Sequence, residues 1–325
     1  MDPHRTILDQ HKKHFDQIDE ALGETLVSRV PLIEDMGAHS LLGRGKRLRP
    51  LLFVISCHLF NYQGKGLYRL ATIFEYIHAA SLLHDDVLDN AETRRKKPTA
   101  NSVWGNHAAV LQGDFLYTKS STLAIDAKSL PFLKRLTEAT TRMTEGQILE
   151  LIRTHDWNTS KEEYFEIITA KTAALLSAAC ACGAVVSGAE KGAVESLGVF
   201  GLNLGIAFQL IDDLLDYSSS EEVLGKPVGK DLKEGKITLP LIYTLSQIEM
   251  SERKRLEDLF KNEGASEADY ENLIEIVRSN GALDQIRSEA QSYADMANES
   301  LKTFPYSPAK RSLLELGQYV IERKH

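Results

Sequence analysis

Two acidic quintets, Asp85-Asp86-Val87-Leu88-Asp89 and Asp212-Asp213-Leu214-Leu215-Asp216, are the residues of this chain best suited to chemistry. Each follows a largely apolar, helix-prone run, Tyr76 to Leu83 and Gly205 to Ile211. On a helix, carboxylates at i and i+4 project from one face. Like charges so placed repel, and the pattern asks for something positive to sit among them. Hard oxygen donors, with no His or Cys at ligand spacing, favour Mg²⁺ over zinc.

Three basic elements accompany the acidic ones. Gly43-Arg44-Gly45-Lys46-Arg47-Leu48-Arg49-Pro50 stands just ahead of a helix, where Lys46 and Arg49 can converge on an anion. Arg94-Arg95-Lys96-Lys97-Pro98 trails the first quintet. Gly225-Lys226-Pro227-Val228-Gly229-Lys230-Asp231, running on to Lys236, trails the second. An acidic helix end followed by a basic loop, present twice, suits a polyanion held through metal on one side and Lys or Arg on the other.

Helices must position these groups. Apolar residues recur at three- and four-residue spacing, strand-like alternation is scarce, and prolines are few. The spacing predicts helices near 4–29, 48–61, 66–91, 101–127, 131–153, 161–187 and 191–219. Further helices are predicted near 238–248, 251–262, 266–279, 282–302 and 308–322. Thr159-Ser160 and Ser266 read as N-caps. Helices between 66 and 219 are long and apolar, with small residues that allow close packing. The fold class expected is therefore all-α, a helical bundle of long helices. No Pro- or Gly-rich linker divides the chain, so one domain over 1–325 is expected, with a core at 30–245 and peripheral helices at 246–325.

The 325 residues carry a net charge of −8, which argues against general nucleic-acid binding. Cys57, Cys180 and Cys182 form no disulfide framework, and Cys180-Ala181-Cys182 reads as small packing residues. Met1 to Glu20 is too polar for a secretory signal, and no uninterrupted run of about 18 apolar residues is present. A cytoplasmic location is the expectation.

With these motifs in order, the chain resembles the trans-isoprenyl diphosphate synthases. The matching residues are Gly45-Lys46-Arg47-Leu48-Arg49-Pro50, His78 and Leu82 to Asp89 with Arg94-Arg95. Gly113-Asp114, Lys171-Thr172, Phe208 to Asp216 and Gly225 to Lys236 continue the series. The resemblance implies a single-domain isoprenoid-synthase bundle with a central cavity between long helices, in which three Mg²⁺ ions bridge an allylic diphosphate to both aspartate motifs. It implies that Asp85, Asp89 and Asp212 ligate metal directly, supported by Asp86, Asp213 and Asp216. It assigns Arg94, Lys171, Thr172, Gln209, Lys226 and Lys236 to the allylic diphosphate. Isopentenyl diphosphate falls to Lys46, Arg49, His78 and Arg95, without metal. The implied partners are these two substrates and a second copy of the chain, packed through helices near 101–153. Transient membrane contact is expected when a long product leaves.

The same resemblance puts the growing tail against the residues before Asp85. Ala80 and Ser81 are small, so the tail can pass to Ile77 and on to Phe74. Each helical turn adds about 5 Å, on the scale of one extended prenyl unit, and a product near C35–C50 is expected. Leu123 and Phe132 are candidates for the floor. The alternatives are a shorter-chain synthase, a non-catalytic regulatory subunit and a class I terpene cyclase. The cyclase normally lacks the second DDxxD and the Lys46/Arg49/His78 set, and a regulatory subunit tends to lose aspartates that this chain keeps. Arg323-Lys324-His325 is read as a solvated tail.

Overall fold

A computed structural model describes residues 7, 9–41, 45–94, 96–218, 228–261 and 265–323. Arg95 and Lys226 lie outside these residues. Backbone packing groups the chain into two compact units, each built from non-contiguous stretches. The first takes residues 1–140, 175–201 and 298–316; the second takes 141–174, 202–297 and 317–325.

In the first unit the order begins α1 (Lys12–Thr25), α2 (Pro31–Leu41), α3 (Leu48–His58) and α4 (Leu67–Leu88). Helix α4 is apolar almost all round and is buried along most of its length, from Leu67 to Leu83. It stops at Asp89, followed by Asn90 at φ 48°, a left-handed position that Asn tolerates. A ribbon of β1 (Thr93–Arg94) and β2 (Lys97–Pro98) then turns back through Lys96 at φ 63°. Helices α5 (Ala100–Trp104) and α6 (Asn106–Ile125) follow. They were expected as one helix, but Gly105 at φ 84° breaks it. Helix α2 was not predicted; Pro31 at its first position is the start signal.

Helix α7 (Leu130–Arg153) runs past residue 140, where the second unit begins. Helix α8 (Lys161–Ile168) opens with the predicted cap: Ser160 and Glu163 form a reciprocal capping box. The helix expected over 161–187 is interrupted by a π-helical turn at Thr169–Ala173 before α9 (Ala174–Val186). Next come α10 (Lys191–Ser218), the short α11 (Lys230–Lys233), α12 (Leu239–Gln247) and α13 (Met250–Lys261). Helices α14 (Glu267–Ser279, capped by Ser266), α15 (Ala282–Ser300) and α16 (Pro308–Glu322) complete the order.

The second unit has a core of Trp157, Tyr217, Leu232, Ile237, Leu241 and Leu245 with Leu256, Leu273, Ile274 and Val277. Helices past residue 245, expected to be peripheral, therefore supply buried side chains to it. The three cysteines are buried and free. Two helical stretches, Lys161–Val186 and Lys191–Ser218, are long and apolar enough to cross a membrane by length and composition. Of their most apolar windows, 78% and 61% is buried inside the fold, which accounts for their hydropathy as core.

Candidate active site

The first acidic cluster closes α4. Asp85 and Asp89 are partly exposed, whereas Asp86 is buried. Arg94 on β1 donates from Nε to Asp86 Oδ1 at 2.8 Å and neutralises it. Backbone bonds pin the same corner. Ala91 N–H reaches the Asp86 carbonyl at 2.9 Å, and Thr99 Oγ1 donates to the Ala91 carbonyl at 2.6 Å. The ribbon thus holds Arg94 on the aspartate motif, where the sequence assigned it to a diphosphate.

Ahead of α3, Arg47 sits at φ 46° and is buried. It donates to Asp19 Oδ1 at 2.8 Å, to Glu75 Oε1 at 2.6 Å and to the Leu41 carbonyl. A side chain at Gly45 would come within 2.8 Å of Arg47 Nη1. Arg47 therefore fixes the loop from inside, and its neighbours Lys46 and Arg49 stay partly exposed. His78 on α4 is also partly exposed, and Ser81 Oγ donates to its carbonyl at 2.8 Å. His84 Nε2 lies 3.1 Å from the Val110 carbonyl and 3.5 Å from Asp114.

The residues before Asp85 are graded by size. Ala80, Ile77 and Phe74 are buried, and Ser81 is half-buried. Below Ile77 the Phe74 ring packs on Phe53 at 5.3 Å and on Phe132 at 6.3 Å between centroids. All three rings are fully buried.

The second cluster lies inside α10 and is held differently. Asp212 is exposed, while Asp213 and Asp216 are buried at 3% and 0%. Tyr164 on α8 donates to Asp213 Oδ2 at 2.6 Å, and Gln209 Nε2 donates to Asp213 Oδ1 at 2.7 Å. Thr172 Oγ1 donates to Gln209 Oε1 at 2.9 Å. Burial pushes the Asp213 carboxyl upward, against the pull of its two donors and with Asp212 and Asp216 adding to the rise. Asp216 Oδ2 accepts from Asp231 N–H at 3.1 Å, and its carbonyl accepts from Gly229 N–H at 2.9 Å.

Two glycines make room for the π-helical turn. A Cβ at Gly146 on α7 would lie 2.6 Å from the Lys171 nitrogen, and one at Gly205 on α10 would lie 2.6 Å from Ala173 Cα. One helical turn beyond each glycine stands a polar partner. Glu150 pairs with Lys171 at 2.5 Å, and Gln209 holds Thr172. The sequence reading required a partner for Lys171 within its apolar helix; in this structure Glu150 is one. Neither Glu150 nor Tyr164 was singled out by sequence. The repeated spacing Gly146-x-x-x-Glu150 and Gly205-x-x-x-Gln209 was the available signal.

At and just after α11, Lys236 pairs with Glu234 at 2.7 Å and Lys230 with the same residue at 3.0 Å. At the far end of the chain Arg323 departs from the solvated tail expected. It is buried, donates from Nη2 to the Phe208 carbonyl at 2.7 Å, covers the Phe208 ring and lies 3.2 Å from Asp212 Oδ1. The cause is local: the exposed carboxylate and aromatic face give a guanidinium both charge and stacking partners.

The donor set fits a hard divalent cation. Asp85 and Asp89 are i and i+4 carboxylates at a helix C-terminus, where the backbone dipole also favours positive charge. Among the described residues no three His, Cys, Asp or Glu side chains close around a metal. A cation here would keep waters and take oxygens from a phosphate ligand, as Mg²⁺ prefers.

The profile of the polyprenyl synthetase family matches residues 30–277. The octaprenyl diphosphate synthase of Escherichia coli strain K12 is 37% identical over 306 residues, 94% of each chain. The geranylgeranyl diphosphate synthase of Saccharolobus solfataricus is 35% identical over 306 residues, 91% of this chain and 92% of its own. A crystal structure of a polyprenyl synthase from Caulobacter crescentus, complexed with calcium and isoprenyl diphosphate, superposes with a TM-score of 0.94. It is 37% identical and covers 99% of this chain and 98% of its own. The family profile spans both aspartate clusters. The chain belongs to the polyprenyl synthetase family and is a prenyltransferase.

Proposed function

We propose that this enzyme condenses isopentenyl diphosphate with an allylic diphosphate, in repeated head-to-tail additions, to a long all-trans polyprenyl diphosphate of about C35–C50. The observation that carries the reaction is the sorting of carboxylates. Both clusters expose some aspartates (Asp85 and Asp89; Asp212) and bury the others on donors from the chain itself. The exposed members would ligate Mg²⁺, three ions per site in our reading, and buried members hold the helix surface that presents them. Mg²⁺ held there supplies positive charge that makes diphosphate a good leaving group.

The chain's own groups do the rest. Lys171, Thr172, Gln209, Lys226 and Lys236 bind the allylic diphosphate, with Arg94 acting through Asp86. Lys46, Arg49, His78 and Arg95 bind isopentenyl diphosphate, which must not ionise and needs no metal. As the allylic C–O bond breaks, the isopentenyl double bond attacks the developing cation, and the departing diphosphate takes the proton that is lost. Electrostatic stabilisation of the leaving group is the principal effect.

Long product length is supported by the small residues Ala80 and Ser81 above Ile77, with the Phe53, Phe74 and Phe132 rings as the floor. The two named relatives differ, one geranylgeranyl and one octaprenyl, so length rests on these side chains. A homodimer is supported by exposed apolar residues Leu111, Tyr117 and Ile125 on α6, and separately by Ile148, Leu151 and Ile152 on α7. Transient membrane contact would serve release of so apolar a product, and a cytoplasmic site of action suits both substrates.

The reaction assignment is tested with Asp85→Ala and Asp212→Ala. Each should lower Mg²⁺-dependent condensation by about 10³-fold or more. Near-normal turnover would remove these aspartates from metal binding.

A further inference from the structure

The π-helical turn has a geometric consequence for the residues on either side of it. Tyr164 and Thr172 are eight positions apart. On an unbroken α-helix they would point about 80° apart, but one inserted residue makes them equivalent to a seven-residue spacing, within about 20° of one face. Both then face α10, where Gln209 and Asp213 stand one turn apart. The result is a continuous path: Tyr164 OH to Asp213 Oδ2 at 2.6 Å, Gln209 Nε2 to Asp213 Oδ1 at 2.7 Å and Thr172 Oγ1 to Gln209 Oε1 at 2.9 Å.

The path grips α10 from both ends of the insertion. On the opposite side, Gly146 admits the Lys171 backbone and Glu150 takes its ammonium group. A π-turn is a rare i→i+5 insertion inside an α-helix that shifts the side chains on either side of it. Side chains outside the helix hold the ones it carries. Here Thr172 is fixed by an amide that could itself rotate by half a turn. Gln209 has its amide nitrogen committed to Asp213, which leaves its oxygen for Thr172. Asp213 in turn is oriented by the Tyr164 hydroxyl, a donor that cannot exchange roles with the carboxylate.

We propose that Tyr164 is a positioning residue for the allylic diphosphate. It fixes Asp213, and through Gln209 it sets the rotation at which the π-turn presents Lys171 and Thr172. Tyr164 touches neither substrate, and its effect is confined to the side of the reaction that those two residues serve. The inference rests on the assignment of Lys171 and Thr172 to the allylic diphosphate, and it adds a residue that the motifs do not contain.

The test is Tyr164→Phe, which removes one hydroxyl and keeps the ring. Two quantities are measured: the Kd of a non-ionising allylic analogue, farnesyl thiolodiphosphate, by calorimetry with Mg²⁺, and the KM of isopentenyl diphosphate. The Kd should rise about tenfold or more while that KM stays within about twofold. A general loosening of the fold would move both together. Equal changes in both, or no change in Kd, overturn the proposal. Gln209→Met cuts the same path one link nearer Thr172. It must show the same split if Tyr164→Phe fails to fold, and its failure to do so is equally decisive. If the unaltered enzyme elongates but its Kd for the analogue is insensitive to Lys171→Ala, the assignment of Lys171 is wrong and the inference falls with it. Elongation with a Lys171-sensitive Kd that Tyr164→Phe leaves unmoved overturns the inference alone.

Discussion

The two aspartate clusters share a sequence pattern, yet the chain tolerates their buried carboxylates by different means. At the first, a cation does the work: Arg94 pairs with Asp86 near the C-terminal end of α4, and Asn90 stops the helix soon afterwards. At the second, inside α10, neutral donors do it: a phenol and an amide on Asp213, and a backbone N–H on Asp216. The residues upstream differ in the same sense. Before Asp85 stand Ala80, Ser81 and Ile77, small or apolar side chains suited to a hydrocarbon tail. Before Asp212 stand Gly205 and Gln209, which hold another helix. In the proposed reaction the first cluster opens a corridor for the tail, whereas the second is clamped to a neighbouring helix, so equal motifs need not respond equally to substitution.

The corridor is broken most visibly at Ala80. Ala80→Phe should shift the longest product from about C35–C50 to about C15–C20, because one ring fills roughly one turn of helix length. Chromatography of dephosphorylated products reads the shift, and an unchanged product would remove the corridor from this face of α4.

Breaking the clamp is a matter of stability. Gly205→Ala places a methyl group against the Ala173 backbone, which cannot move aside as a flexible side chain could. It should cost about 2–3 kcal/mol in urea denaturation. Gly198→Ala, on the same helix but with its nearest neighbour atom 3.6 Å away, is the control and should be close to neutral. Similar losses at both would show that the close approach at Gly205 is not special.

Ion pairing at the first cluster comes next in size. Arg94→Met leaves Asp86 buried without its cation. A buried pair broken in this way can cost about 3–5 kcal/mol, but the Arg94 side chain is 37% exposed. Screening by solvent reduces the expectation to about 1–2 kcal/mol.

The smallest effect comes from a histidine group in the first unit, distant in sequence from its motif. His14 stacks near His11 and His58, at 5.9 and 5.1 Å between ring centroids, and its Nδ1 lies 2.9 Å from the Tyr68 hydroxyl. Burial, joined by His58, His11 and Lys13, pushes His14 down to about 4. An unfolded histidine titrates near pH 6.5. Above that value both states are neutral and His14 adds no pH dependence. As pH falls from about 6.5 toward 4 the unfolded chain binds the extra proton, so stability declines. Denaturation midpoints at pH 7.5 and 5 check the direction, and His14→Phe should flatten part of the slope.

Much of this arrangement was legible in the sequence because it is periodic or local. The two quintets, the helices that carry them and the caps at Ser160 and Ser266 each lie within a few consecutive residues. What escaped was non-local. Tyr164 and Asp213 are 49 positions apart, and nothing near Tyr164 announces the carboxylate it meets. Arg323 reads as a terminal basic residue until Phe208 and Asp212 are placed beside it. Arg47 sits among ligand candidates, and only the left-handed backbone at that position turns it inward onto Asp19 and Glu75. The π-turn has no periodic signature of its own, and its trace was the pair of glycines that face it.

In the proposed reaction the enzyme ionises an allylic diphosphate and lets the product grow past Ala80. The direct measurement is incubation of the purified protein with Mg²⁺, farnesyl diphosphate and labelled isopentenyl diphosphate, followed by sizing of the dephosphorylated products. A metal-dependent ladder that ends near C35–C50 is expected. A ladder that stops at one or two additions would contradict the corridor, and release of diphosphate with no labelled isopentenyl unit incorporated would contradict the reaction itself.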